Sequence, residues 1–83
     1  MTDKEITELY FARSENAIRE TAKKYGKYCH TIADRILHSH EDSEECVSDT
    51  YMKAWETIPP KRPTKLSAYL GKITRNFAIK RYG

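Results

Sequence analysis

The sequence predicts an all-α chain, a compact bundle of three main helices preceded by a short N-terminal helix. Three observations predict it. The chain has only three glycines, and its three prolines (Pro59, Pro60 and Pro63) fall in one short stretch, so long runs carry no turn signal. Within those runs apolar residues recur with a period near 3.6, the repeat of a helix that buries one face. A chain of 83 residues suits one domain near the lower limit for a self-sufficient core.

Each element has its own signal. Thr2-Asp3-Lys4-Glu5 is a capping box that opens a short helix to about Arg13, with Ile6, Leu9 and Tyr10 as its apolar positions. Ser14 is placed to cap a long second helix to about His38. Its apolar positions are Ile18, Ala22, Tyr25, Cys29, Ile32, Ala33 and Ile36, and Gly26 interrupts the rhythm without shifting its phase. A third helix is expected from about Glu41 to Thr57. On a helical projection Ser43, Val47, Thr50, Tyr51, Ala54 and Ile58 share one side, and Asp42, Glu45, Asp49, Met52 and Glu56 share the other. The prolines end it, since they lack the amide proton and restrict the residue before them. Thr64 is then placed to cap a fourth helix to about Arg81, with Leu66, Leu70, Ile73 and Phe77 buried and Tyr69 on the flank.

Charge is sorted along the chain. Residues 41–56 carry six acids and one lysine, whereas residues 57–83 carry seven basic residues and no acid. Solvated surfaces usually mix their signs, so the two blocks read as surfaces for two different partners. The helix dipole accounts for Asp42, Glu44 and Glu45 in the first turns of the third helix. It does not reach Asp49 or Glu56. The basic block can neutralise phosphates, Asn76 can hydrogen-bond a base edge, and Tyr69 and Tyr82 offer faces on which an unpaired base can stack. Taken singly, each block is also what a solvated helix face looks like.

Several functions are disfavoured. No apolar run approaches the ~18 residues of a membrane span, and the N-terminus does not begin a signal peptide. Cys29 and Cys46 give no disulfide framework, so a reducing cytoplasm is expected and both thiols read as small buried residues. His38, His40 and the cysteines match no common zinc spacing, and no phosphate loop or nucleophile–base pair is evident. No enzyme, metal site or cofactor is expected.

The segment Glu41-Asp42-Ser43-Glu44-Glu45-Cys46-Val47-Ser48-Asp49-Thr50-Tyr51-Met52-Lys53-Ala54-Trp55 resembles the most recognisable part of bacterial RNA polymerase sigma factors. Leu66-Ser67-Ala68-Tyr69-Leu70-Gly71-Lys72-Ile73-Thr74-Arg75-Asn76-Phe77-Ala78-Ile79 resembles the segment that follows it there, and Tyr25 to Leu37 is similar to the preceding helix. The resemblance is to the second conserved region of the extracytoplasmic-function group within the sigma-70 family. It implies that the third helix docks on the clamp helices of the polymerase β′ subunit through Asp42, Glu45, Ser48, Asp49, Met52 and Lys53. It also implies that the loop and fourth helix recognise the −10 promoter element and hold its non-template strand once melted. Lys61, Arg62, Tyr69, Lys72, Arg75 and Asn76 would carry that task, with Ile79 and Lys80 beside them.

Some positions depart from the family pattern. Ser48 stands where Gln is frequent, Tyr69 where Trp is frequent, Gly71 where Tyr or Arg is common, and Lys80 where an acid is common. Complete factors carry a further helix-turn-helix domain for the −35 element. Its absence from this chain implies a domain of a longer factor, and an anti-sigma protein is a further partner that such surfaces could receive. Two other readings stay open at this point: a sigma-like interaction module with no DNA role, and a free-standing helical DNA-binding regulator.

Overall fold

In the computed structural model, which describes residues 1–83, the chain forms four helices: α1 (Asp3–Phe11), α2 (Asn16–Leu37), α3 (His40–Thr57) and α4 (Leu66–Tyr82). There are no strands. α2, α3 and α4 pack against one another, and α1 lies on α2. This is the bundle the sequence predicts.

The capping box of α1 is formed. Thr2 Oγ1 accepts from the Glu5 amide at 3.1 Å, and Glu5 Oε1 accepts from the Thr2 amide at 2.8 Å. Asp3 fastens this helix to α2 by accepting from Lys24 Nζ at 2.8 Å and from the Tyr25 hydroxyl at 2.7 Å. These donors, Lys24 first, hold the Asp3 carboxyl below its ordinary pKa. Ile6 and Tyr10 are fully buried beneath the helix, and the Tyr10 hydroxyl meets Thr21 Oγ1 at 2.7 Å. α1 ends two residues earlier than its sequence suggests, because Arg13 takes a left-handed conformation (φ 55°) that turns the chain toward α2.

Gly26 does not break α2. A Cβ there would lie 3.2 Å from the Tyr51 hydroxyl, so the glycine makes room for a side chain of α3. His38 ends α2 at φ 51°, and Ser39 caps α3 by accepting from the Asp42 amide at 3.3 Å. The inner face of α3 is the expected one, with Ser43, Val47, Thr50, Ala54 and the following Ile58 buried and Cys46 added to them.

Two details differ from the sequence-based expectation. Thr64 does not occupy the N-cap position of α4, which falls to Lys65 without a side-chain cap, and the N-cap position of α2 falls to Glu15, although the Ser14 hydroxyl still accepts from the Asn16 amide at 3.3 Å. The buried faces of α2 and α4 are also rotated toward small residues. Ala17, Thr21, Cys29 and Ala33 are buried in α2, and Leu66, Leu70, Gly71, Thr74 and Ala78 in α4, while Ile73 and Phe77 are half-buried. The physical reason is close approach, because helices that nearly touch seat small side chains on the seam and large ones beside it.

The hydroxyls on this seam are satisfied within it. Thr50 Oγ1 and Thr74 Oγ1 are 2.9 Å apart, and each is also 2.9 Å from a carbonyl of its own helix, Cys46 O and Leu70 O respectively. Two hydroxyl protons serve three contacts, so one threonine donates across the seam while the other donates back to its helix. Burial raises the pKa of both thiols, which therefore pack as neutral groups.

The core is uneven along the bundle. A large cluster containing Tyr10, Ile58, Leu66 and Leu70 fills the end near the proline loop. Fully burying an aliphatic side chain of this size contributes about 2 kcal/mol. A second cluster of Ala33, Cys46 and Ala78, with Ile36, Leu37 and Phe77 packed on it, fills the opposite end.

Candidate functional site

The outer face of α3 is the acidic stripe. Glu45, Ser48, Asp49, Met52 and Lys53 are exposed and Asp42 is half-exposed, with Met52 showing 54% of its surface. The stripe is not free of cations. Because α3 and α4 run antiparallel, the last turn of α4 lies beside the first turns of α3. From there the Arg81 guanidinium reaches Glu45 Oε2 at 3.6 Å and Asp42 Oδ1 and Asp49 Oδ2 at 3.8 Å. The sequence pattern assigned Arg81 to the basic surface, whereas the fold turns it onto the acidic one.

The residues expected to meet DNA fall into three groups. Lys72 and Arg75 line a groove between α4 and α2 together with Tyr28, Ile32, Arg35 and Ile36, about 510 Å³ in volume. Asn76 and Lys80 line a smaller cleft of about 170 Å³ between α4 and α3, shared with Lys53, Ile73 and Phe77. Lys53, assigned to the polymerase surface, thus shares a cleft with two residues assigned to DNA. Ile79 is exposed.

The third group is the loop. Lys61 is exposed, but Arg62 is folded back onto α1, where its guanidinium lies 4.1 Å from the Phe11 ring centroid and 3.2 Å from Glu8 Oε2. Tyr69 is half-buried, and its hydroxyl meets Thr57 Oγ1 at 2.6 Å across the loop. None of the ion pairs in the structure involves Lys61, Lys72, Arg75 or Lys80.

Sequence reasoning missed Arg13. Its Nη1 donates to Ile58 O at 2.7 Å and Trp55 O at 2.9 Å, and its guanidinium stacks 3.7 Å from the Trp55 ring centroid. A cation thus closes the C-terminus of α3, where the dipole is negative, just before the chain passes into the proline loop. The available signal was weak. An Arg-Ser pair between two helices reads as a turn, and its partners lie 42 and 45 residues away. No group of three or more His, Cys, Asp or Glu is arranged to hold a metal ion, and no helix is long and apolar enough to cross a membrane.

This is a small all-helical module with an acidic stripe on α3 and basic residues spread over α4 and the loop before it. The family model described as Sigma-70 region 2 matches residues 21–83, and the chain therefore belongs to the sigma-70 region 2 family, whose members serve in transcription initiation. That places it among promoter-recognition domains that work with RNA polymerase, a family that is not catalytic. The match begins at Thr21 inside α2, so α1 and the first turns of α2 lie outside it. Comparisons with curated proteins and with solved structures gave no match.

Proposed function

We propose that residues 1–83 act as one domain of an extracytoplasmic-function-type sigma factor. It docks on the clamp helices of the polymerase β′ subunit through the outer face of α3, and it reads and holds the melted −10 element through the loop and α4. The observation that carries this reading is the separation of charge onto the outward faces of neighbouring helices. Asp42, Glu45, Ser48, Asp49, Met52 and Lys53 form the docking side. Lys61, Arg62, Tyr69, Lys72, Arg75, Asn76, Ile79 and Lys80 form the DNA side. A basic partner surface would be steered to the first, and a phosphate backbone to the second. The domain performs no bond chemistry. It lowers the free energy of an opened promoter by binding the strand that duplex DNA keeps paired.

The two halves are tested separately. A Glu45→Lys, Asp49→Lys double variant should lose capture of a β′ clamp-helix fragment while keeping its helical circular dichroism. Arg75→Ala with Asn76→Ala should weaken binding to a −10-like single strand and leave capture of β′ intact. Capture that survives both charge reversals would reject the docking face. An intact chain that binds β′ but shows no preference for single-stranded −10 DNA over random strands or duplex would favour an interaction module without a DNA role.

A further inference from the structure

The loop between α3 and α4 is held differently at its two ends. Its start is fixed to the bundle. Ile58 is fully buried, the Lys61 amide donates to Thr57 O at 2.9 Å, and Arg13 Nη1 donates to Trp55 O and Ile58 O. The stretch that follows has no such ties. Arg62, Thr64 and Lys65 are exposed, and their amides donate no hydrogen bond to another backbone group. A cleft of about 290 Å³ lies between this stretch and α1, lined by Asp3, Lys4 and Thr7 on one side and Arg62, Pro63 and Thr64 on the other. The Arg62 side chain reaches α1 and carries the tie. Its guanidinium is 3.2 Å from Glu8 Oε2 and 4.1 Å from the Phe11 ring centroid.

That tie is strong enough to persist and weak enough to exchange. The Arg62 and Glu8 side chains are each 53% exposed, and they meet through one N–O contact. An exposed ion pair shifts an equilibrium by roughly fivefold at most, and an exposed cation–π contact by about two- to fivefold. A phosphate can take the same guanidinium through two parallel hydrogen bonds, and the contact releases counterions from the DNA. Glu8 has no other cationic partner, and Arg62 has no other anionic one. Glu8 and a DNA phosphate are therefore alternative anions for one cation.

We propose that Arg62 is an exchangeable latch: Glu8 and Phe11 of α1 hold it in the free domain, and on DNA it transfers to a backbone phosphate. The proposal rests on the DNA-binding reading above. It adds Glu8 and Phe11, two residues that the sequence pattern did not assign and that lie outside the family match at residues 21–83. In this role α1 is a brake on the loop. Its carboxylate lowers the loop's affinity for DNA, and by linkage bound DNA loosens the loop from α1.

The test is fluorescence anisotropy of the full chain with a labelled −10-like single strand of about 12 nucleotides, at fixed salt. Glu8→Gln should tighten binding by about two- to fivefold, Phe11→Leu should tighten it by about twofold or more, and Arg62→Gln should weaken it. In an Arg62→Gln background, Glu8→Gln should change affinity by less than about 1.5-fold, because the two effects act through one contact. Glu15→Gln removes the same charge from an exposed acid without an ion pair and should also change it by less than about 1.5-fold. Thermal unfolding of each variant separates changed binding from changed fold. The unsubstituted chain supplies a second readout by nuclear magnetic resonance. The Arg62 side-chain protons should be shifted upfield by the Phe11 ring in the free chain and lose that shift when DNA is added. Tightening that survives in the Arg62→Gln background, or that Glu15→Gln matches, would reduce Glu8 to general charge and overturn the latch. So would a Glu8→Gln variant that binds no tighter than the parent, or an Arg62 ring shift that persists at saturating DNA, and either result leaves the DNA-binding reading standing. Failure of both the unsubstituted chain and Glu8→Gln to bind single strands even at low salt would sink both ideas.

Discussion

Replacing Arg13 with Ala should destabilise the domain more than its exposure suggests. The side chain donates to two carbonyls at the end of α3, at 2.7 and 2.9 Å, and stacks on Trp55. A charge-assisted hydrogen bond contributes roughly 1.5–3 kcal/mol when sheltered, the helix-end charge effect about 0.3–1 and an exposed cation–π contact about 0.5–1. These terms overlap, and one of the two hydrogen bonds faces solvent, so the combined loss is about 2 kcal/mol. In a domain of this size that corresponds to a fall in Tm of roughly 8–16 °C. Two further variants divide the effect. Arg13→Lys keeps the charge and loses the planar fork, so it should fall between parent and Ala. Arg13→Gly loses the same contacts but relaxes the left-handed backbone at φ 55°, and should recover roughly 0.5–1 kcal/mol relative to Ala. Urea unfolding followed by circular dichroism measures all three. A loss below about 0.5 kcal/mol for Ala would refute the assignment of Arg13 as the C-terminal clamp of α3, and a Gly variant weaker than Ala would refute the backbone contribution.

The remaining predictions concern the seam, the N-terminal latch and the acidic stripe. Thr50→Val and Thr74→Val should each cost about 1 kcal/mol, and the double variant should cost less than the sum, because either single change already removes the bond across the seam and leaves the remaining hydroxyl only the carbonyl of its own helix; urea unfolding of the four proteins measures the coupling. Asp3 has a depressed pKa, so its contribution is present above the unfolded carboxylate value of about 3.9 and is lost as pH falls through the lower folded value. Asp3→Asn should flatten the acid limb of a plot of urea midpoint against pH. The Tyr25 hydroxyl, pushed up to about 12 first by burial and then by Asp3, should contribute stability that is full below about pH 10 and fades as pH rises through about 12. Tyr25→Phe should shift the alkaline limb of the same plot. Arg81→Gln should raise affinity for a basic β′ fragment more than Lys80→Gln does, although both remove one charge, because only Arg81 sits among the stripe's carboxylates; isothermal titration of both variants decides it.

The sequence made much of this fold legible because the strongest signals are local. The Thr2–Glu5 box, the Gly26-spanning helix and the proline stop each depend on residues within a few positions of one another. The outer face of α3 was legible for a related reason, since a stripe of acids beyond the dipole's reach has no local use. The seam of α4 was not legible. A hydropathy pattern chooses Ile73 and Phe77 over Gly71 and Thr74, but the close approach of α2 and α3 rewards small volume and a hydroxyl with partners on both sides. The Arg62 and Tyr69 side chains were hidden for a different reason. Both were assigned to DNA, and that assignment carried no sign of their intramolecular hydrogen-bonding partners, Glu8 and Thr57, which lie 54 and 12 residues away. Pairings of that range follow from the way the helices meet, which no window of sequence reports. Arg81 shows the same limit at the other end of α4.

A guanidinium cannot answer two sets of anions at once. With Arg81 lodged among Asp42, Glu45 and Asp49, the face of α3 is partly neutralised from within, and the tail of α4 is correspondingly short of one positive charge for anything outside. On the docking reading proposed above, a basic partner on α3 would compete with that side chain for the same three carboxylates. By linkage the exchange works equally in reverse: whatever draws Arg81 away from α3 deepens the negative potential waiting there. The carboxylates of α3 and the last turn of α4 therefore hold one cation in common, and its charge counts toward only one of the two helices' outward surfaces at a time.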